Sequence, residues 1–144
     1  MLRCRLTQEL FEKYPFLEFD YTNRTATFKS GMWNLKEELF LPRGISLKSG
    51  PGVTIDMTDQ ARIIVRAPLN FKGSKSKPVI ITSSDGTGRG LTVLSAKGLS
   101  IMQNVHFTKL RLKEKEVWPL TSTLTFYESD VEISHCLFEK INAE

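Results

Sequence analysis

Chemistry on this chain rests on a small set of side chains. Asp85 and Arg89 lie in Ser84-Asp85-Gly86-Thr87-Gly88-Arg89-Gly90, a glycine-rich turn that can bring a carboxylate, a guanidinium and backbone amides to one ligand. The plainer reading is a turn between structural elements, and it is not a phosphate-binding loop, because Gly-x4-Gly-Lys-Ser/Thr occurs nowhere in the chain. Glu128 and Asp130 alternate along an expected strand edge, with Glu132 next on the same side. Such a row can hold a cation or divide acid and base roles; it also makes an ordinary solvated face. His106, between Val105 and Phe107, should point outward, and His135 should fall at a bend. Two such positions are too few ligands for a metal, so no metal site is expected. Cys4 and Cys136 form no CxxC pair and indicate neither a metal nor a redox compartment.

The basic residues cluster in two expected loops, Lys72, Lys75 and Lys77 in one and Lys109, Arg111, Lys113 and Lys115 in the other. Clusters of this kind meet acidic polysaccharide or nucleic acid, or simply solvate a loop. Glu114 and Glu116 dilute the second, and no aromatic residues interleave with either, which argues against nucleic acid. Trp118, before Pro119, offers a flat apolar face to a sugar ring or covers the end of a sheet, whereas Trp33 reads as core. The candidate ligand-binding residues are therefore Lys72, Lys75, Lys77 and Trp118. The candidates for catalysis are Asp85, Arg89, Glu128 and Asp130.

These residues must be positioned by a mostly β scaffold. The 144 residues carry 20 Lys+Arg against 16 Asp+Glu, a formal charge of +4, with 40% hydrophobic and 25% charged residues, as in an ordinary single globular domain. No stretch approaches the ~18 consecutive apolar residues of a membrane helix. Ala61 to Ala67, among the most apolar windows, is interrupted by Arg62 and Arg66. Met1 to Leu10 lack the apolar run of a secretory signal, so a signal for export would have to lie outside this sequence. One short helix is expected from Leu6 to Tyr14, capped by Thr7 and stopped by Pro15. After it, β-formers cluster at Phe16 to Tyr21, Thr25 to Phe28, Ile45 to Lys48, Val53 to Met57, Ile63 to Arg66, Val79 to Thr82, Leu91 to Leu94, Leu124 to Tyr127 and Val131 to Phe138. Gly, Pro, Ser and Asp separate these segments.

The chain also repeats itself. Ser100 to Leu110 aligns without a gap on Val131 to Ile141, which sets Phe107 on Phe138 at an offset of 31. Leu91 to Leu94 matches Leu124 to Tyr127 at an offset of 33. The apolar positions alternate with one extra residue at a bend, occupied by Asn104 in one copy and His135 in the other. A solenoid of parallel strands requires such a pattern, because each coil sets its inward residues over those of the coil below. Asn suits the corner because it tolerates left-handed backbone and can bond its neighbours. Leu69-Asn70-Phe71 is a weaker earlier copy that resembles the strand around Phe107.

Gly31-Met32-Trp33-Asn34-Leu35, Leu39-Phe40-Leu41-Pro42-Arg43-Gly44 and Gly50-Pro51-Gly52-Val53-Thr54-Ile55 resemble the entry segment of right-handed parallel β-helix proteins of the pectate-lyase-like superfamily. Pro78 to Gly86, Leu91 to Ala96 and Leu124 to Ser129 resemble a narrower group of uncharacterised bacterial β-helix proteins. The resemblance covers about residues 31 to 144 and implies an extracellular or surface location. In that group the position of Glu144 is followed by an Asp-rich stretch and more coils, so the resemblance implies a chain truncated at its C-terminus. It also implies, for an active member, Ca²⁺ held by clustered carboxylates with an Arg or Lys as base.

The expected architecture is an all-β, right-handed parallel β-helix of about four coils over residues 31 to 144, with residues 1 to 30 as an N-terminal cap of short helix and strands. The expected function is a module without catalysis, for glycan binding or for surface and structural assembly, needing no cofactor. Its partners would be acidic polysaccharide or further copies joined through an uncapped last coil. The alternative is a Ca²⁺-dependent lyase or epimerase on uronate polymers.

Overall fold

β-Branched and aromatic residues between glycine- and serine-rich corners give short strands, and the sheet order shows how those strands are stacked. The computed structural model describes residues 9, 12–112 and 123–143. Sheet I runs β1 (Leu17–Asp20), β2 (Thr25–Phe28), β5 (Ser46–Ser49), β8 (Leu69–Lys72), β11 (Leu99–Gln103), β15 (Asp130–Ser134). Sheet II runs β4 (Leu39–Leu41), β7 (Arg62–Val65), β10 (Gly90–Leu94), β14 (Leu124–Tyr127). Sheet III runs β3 (Gly31–Leu35), β6 (Val53–Met57), β9 (Val79–Thr82), β12 (Val105–Thr108), β16 (Leu137–Glu139). A small parallel pair joins β13 (Arg111–Leu112) to β17 (Asn142–Ala143).

From β3 onward the chain visits III, II and I in rotation, and each strand pairs in parallel with the strand one circuit later. We term one such circuit a rung. The fold is therefore all-β, parallel and solenoid-like among the described residues. The pairing register reproduces the sequence repeat: Phe107 pairs with Phe138 and Met102 with Ile133, while Leu91 pairs with Leu124. Leu69-Asn70-Phe71 aligns differently from expectation, since Phe71 pairs with Met102 in sheet I and not with Phe107 in sheet III. Both strands present an inward Phe, and a three-residue match could not tell the two sheets apart.

Inward residues form ladders through the core. Trp33, Ile55, Ile81, Phe107 and Phe138 follow one another across sheet III, and Leu39, Ile63, Leu91 and Leu124 across sheet II. Ile81, Phe107, Leu39, Ile63 and Leu91 are fully buried, each such side chain contributing about 1.5–3 kcal/mol. At its last described strand the sheet III ladder opens, with Phe138 46% exposed, and so does sheet I, where Ile133, the partner of buried Met102, is 47% exposed.

The expected capping helix, Leu6 to Tyr14, lies largely outside the described residues. Residues 1–8, 10 and 11 lie outside the described residues, and helical backbone among the rest of that segment is limited to Glu9, Glu12 and Lys13. A run of about two turns gains little on its own, and tertiary packing decides its fate. Among the described residues, an antiparallel hairpin, β1 on β2, stands at this end, with β2 entering sheet I parallel to β5. Tyr14, Phe16 and Leu17 are buried there, Phe16 stacks on Phe28 at 5.7 Å, and the Tyr14 hydroxyl donates to the Glu38 carbonyl at 2.9 Å.

Candidate functional site

The corners between sheets decide where polar side chains can gather. The I-to-III corner is tight in the later rungs, one residue at Asn104 and two at His135 and Cys136. Gly73, Asn104 and His135 occupy it in successive rungs, Asn104 and His135 with left-handed backbone at φ 51° and 53°. Asn104 Nδ2 donates to the Gly73 carbonyl at 3.4 Å, a bond from rung to rung. His106 is half-buried between buried Val105 and Phe107, so it stands on the outward face, and its partner in the next rung is Leu137, two residues beyond His135. Among the described residues, no group of three or more His, Cys, Asp and Glu side chains is placed to hold a metal ion.

The III-to-II corner holds Asp85. Its carboxylate accepts the Asp59 amide at 2.9 Å, the Thr87 amide and hydroxyl at 2.9 and 2.7 Å, and the Ser83 hydroxyl at 3.1 Å. The Asp59 amide is the strongest of these influences, and together they hold Asp85 down at about 2. The residue thus ties a turn to the rung below. Arg89 shares that turn but faces other charges. Burial is the main cause lowering its pKa, Arg62 adds to this, and Glu38 opposes it. Glu38 itself pairs with Arg62, Oε2 to Nε at 2.7 Å.

Glu128 and Asp130 lie at the II-to-I corner, so the whole length of a sheet II strand separates them from Asp85 and Arg89. Five residues of β10 correspond to ~16 Å. The structure does not bring the four candidates together. Glu128 is also not on a strand with Asp130. It has left-handed backbone at φ 47°, and only Asp130 and Glu132 project from β15 on one side. Between the two corners, the middle outward row of sheet II reads Phe40, Ile64, Thr92 and Thr125, with no carboxylate and no base.

Lys72 ends β8, and Lys75 and Lys77 are exposed around the following turn, where the Lys77 carbonyl accepts the Ser74 amide at 3.1 Å. The second basic cluster is described only at Lys109 and Arg111. Lys113, Lys115 and Trp118 lie outside the described residues.

A different set of cations converges. At the II-to-I corner a groove of about 440 Å³ crosses three rungs, lined by Arg43, Gly44, Ser46, Arg66, Ser95 and Lys97 among others. Arg43 follows β4, Arg66 follows β7 and Lys97 follows β10, so successive rungs each contribute one cation. Arg24, in the turn before β2, brings its Nη1 to 3.8 Å from where a Cβ on Gly44 would stand, adding a fourth on the lip. Among the described residues none of the four makes an ion pair. The groove ends at Glu128, whose Oε2 accepts the Ser95 hydroxyl at 3.4 Å. Asp20, on the same turn as Arg24, is occupied by the Thr22 amide and by the Asn23 amide and side chain.

None of Arg43, Arg66 and Lys97 stands out in the sequence. They are spaced 23 and 31 residues apart and follow their strands by different numbers of residues, because the corners differ in length. The signal that finds them is the strand register. No protein-family model, curated protein or solved structure matches this chain.

Proposed function

We propose that this chain is a right-handed parallel β-helix of the pectate-lyase-like kind, serving as a non-catalytic module that binds acidic glycan. The rotation through three parallel sheets supports the architecture, and crossovers between parallel strands are right-handed in nearly all sheets. The observation that carries the function is the basic groove at the II-to-I corner, where cations from three rungs line one concavity without ion-pair partners among the described residues. Unpaired cations along a concave surface raise the local concentration of polyanions. The lyase or epimerase alternative draws less support, since Asp85 is engaged by its own turn and lies a strand length from Glu128 and Asp130.

The test compares binding of the full chain to a polyuronate and to a neutral polysaccharide, while assaying for calcium-dependent unsaturated products. Salt-sensitive binding without product supports the proposal. Product that disappears in Glu128→Ala and Asp130→Ala variants would establish the enzyme instead.

Assembly through the last rung is a second reading, favoured by the exposure of Ile133, Leu137 and Phe138 at positions whose equivalents one rung earlier include buried Met102 and Phe107. An open edge of parallel strands with apolar residues invites association. Sedimentation over a dilution series distinguishes a monomer from copies joined there.

A further inference from the structure

The strands that end the described stack and the basic groove are charge opposites. The chain is +4 overall, yet the segment from β14 to β17 carries Glu128, Asp130, Glu132 and Glu139 against a single cation, Lys140. Asp130, Glu132 and Glu139 are exposed, as are Ile133, Leu137 and Phe138 among them, so this edge is apolar with an acidic rim. The groove at the II-to-I corner has the converse charge: Arg43, Arg66 and Lys97 stand around Ala67 and Pro68, and among the described residues none of the three makes an ion pair. They follow their strands by two, one and three residues, an uneven spacing that suits the side chains of a folded surface.

Two other seats for that edge on a second copy are disfavoured. Edge against edge sets Asp130 and Glu132 facing the same carboxylates, and like charges opposed on neighbouring strands repel. At the hairpin end, among the described residues, β3 and β4 begin sheets III and II, whereas sheet I runs two strands, β1 and β2, beyond β5 of the same rung, and β1 is antiparallel. A second copy arriving there cannot continue all three ladders, and it meets Glu18 and Asp20, exposed on β1.

We infer that copies of this chain associate tail to flank, the apolar, acid-rimmed edge at β15 and β16 of one copy seated in the basic groove of the next. This rests on the assembly reading above and adds the surface that receives the edge. The two surfaces are different patches of one molecule, so each associated pair keeps one open edge and one open groove, and growth runs past the dimer as concentration rises. A groove occupied in this way is closed to other anions.

The experiment is sedimentation of the full chain over a dilution series. Four proteins are compared: wild type, R43E/R66E/K97E in the groove, D130K/E132K/E139K on the edge, and K72E/K75E/K77E in the loop, which has the same net charge as the groove variant. Thermal melts confirm that each is folded, and R43Q/R66Q/K97Q gives the same reading at smaller amplitude if the groove reversal unfolds. Exposed charge pairs contribute up to about fivefold each, so the groove and edge variants should each associate roughly 30-fold more weakly than wild type, while the loop variant stays within about threefold. An equimolar mixture of the groove and edge variants should recover to within about threefold of wild type, because the untouched groove of one takes the untouched edge of the other. Association unchanged in the groove variant but lost in the edge variant overturns the inference and leaves the assembly reading standing. The same holds for a mixture that does not recover, for growth that stops at a dimer, and for a loop variant that loses as much as the groove variant. A wild type that stays monomeric at every concentration overturns both.

Discussion

Phe107 and Phe138 stack ring on ring from adjacent rungs, their centroids 4.9 Å apart and their planes within 4°, yet Phe107 is fully buried and Phe138 is 46% exposed. The same ladder position thus differs in worth. Phe107→Ala opens a cavity with packed neighbours on both sides and should cost about 3–5 kcal/mol. Phe138→Ala removes one contact face and should cost only about 1 kcal/mol. Urea unfolding of both variants at low protein concentration measures the difference. Equal costs would mean that Phe138 is covered in solution, and the dilution series would then show association.

Gly90 opens β10 with φ +91°, and a Cβ there would run into the Thr123 carbonyl of the next rung. The Leu91 amide bonds that same carbonyl at 2.9 Å, so the two segments cannot separate without losing the bond. Gly90→Ala should therefore cost at least about 2 kcal/mol, from left-handed strain and from overpacking together. Gly50→Ala is the control. Nothing lies within 4 Å of its Cβ position and its φ is not positive, so the change should stay within about 0.5 kcal/mol. If Gly90→Ala melts with Gly50→Ala, the corner at Thr123 yields more than its geometry implies.

Much of the fold was legible because it repeats. The offset of 31 between Phe107 and Phe138 and of 33 between Leu91 and Leu124 are both strand pairings, and the residues at the bend, Asn104 and His135, take left-handed backbone as the pattern required. Alternation and turn chemistry are local and survive in the sequence. The start of the stack was less legible, because the burial of Tyr14 and Phe16 depends on residues far along the chain, Glu38 and Trp33. The candidate site was less legible still. Asp85 and Arg89 looked like partners by proximity in sequence, but Asp85 bonds Asp59 on the previous rung and Arg89 answers to Arg62 and Glu38. Arg43, Arg66 and Lys97 come together only once the register fixes which corners stack.

The bend at Asn104 offers a test of side-chain choice at one backbone geometry. Valine at φ 51° places a branched Cβ against the carbonyl and also removes the bond to Gly73, so Asn104→Val should cost about 2 kcal/mol. His135→Asn introduces the residue best suited to the same conformation at φ 53° and should stabilise by a few tenths of a kcal/mol. Thermal melts of the two single variants would show opposite signs. A destabilised His135→Asn would point to a role for the imidazole itself.

Asp85 carries the clearest pH signature. Its folded pKa of about 2 lies below the ordinary 3.8 because the Asp59 amide, the Thr87 hydroxyl and amide and the Ser83 hydroxyl all donate to the ionised form, against a smaller cost of burial. The native state therefore binds its proton less readily than the unfolded chain. The resulting stability is fully present above the unfolded pKa and is lost as pH falls from about 4 towards 2. Asp85→Ala removes this contribution. Since the residue is exposed, the loss near neutral pH should be only about 1 kcal/mol. The gap between wild type and variant should stay constant from neutral pH down to about 5, then narrow through the window set by the two pKa values. Urea midpoints measured at half-unit intervals would follow it. A gap that persists undiminished at about pH 2 would show that Asp85 holds its turn by shape and not by charge.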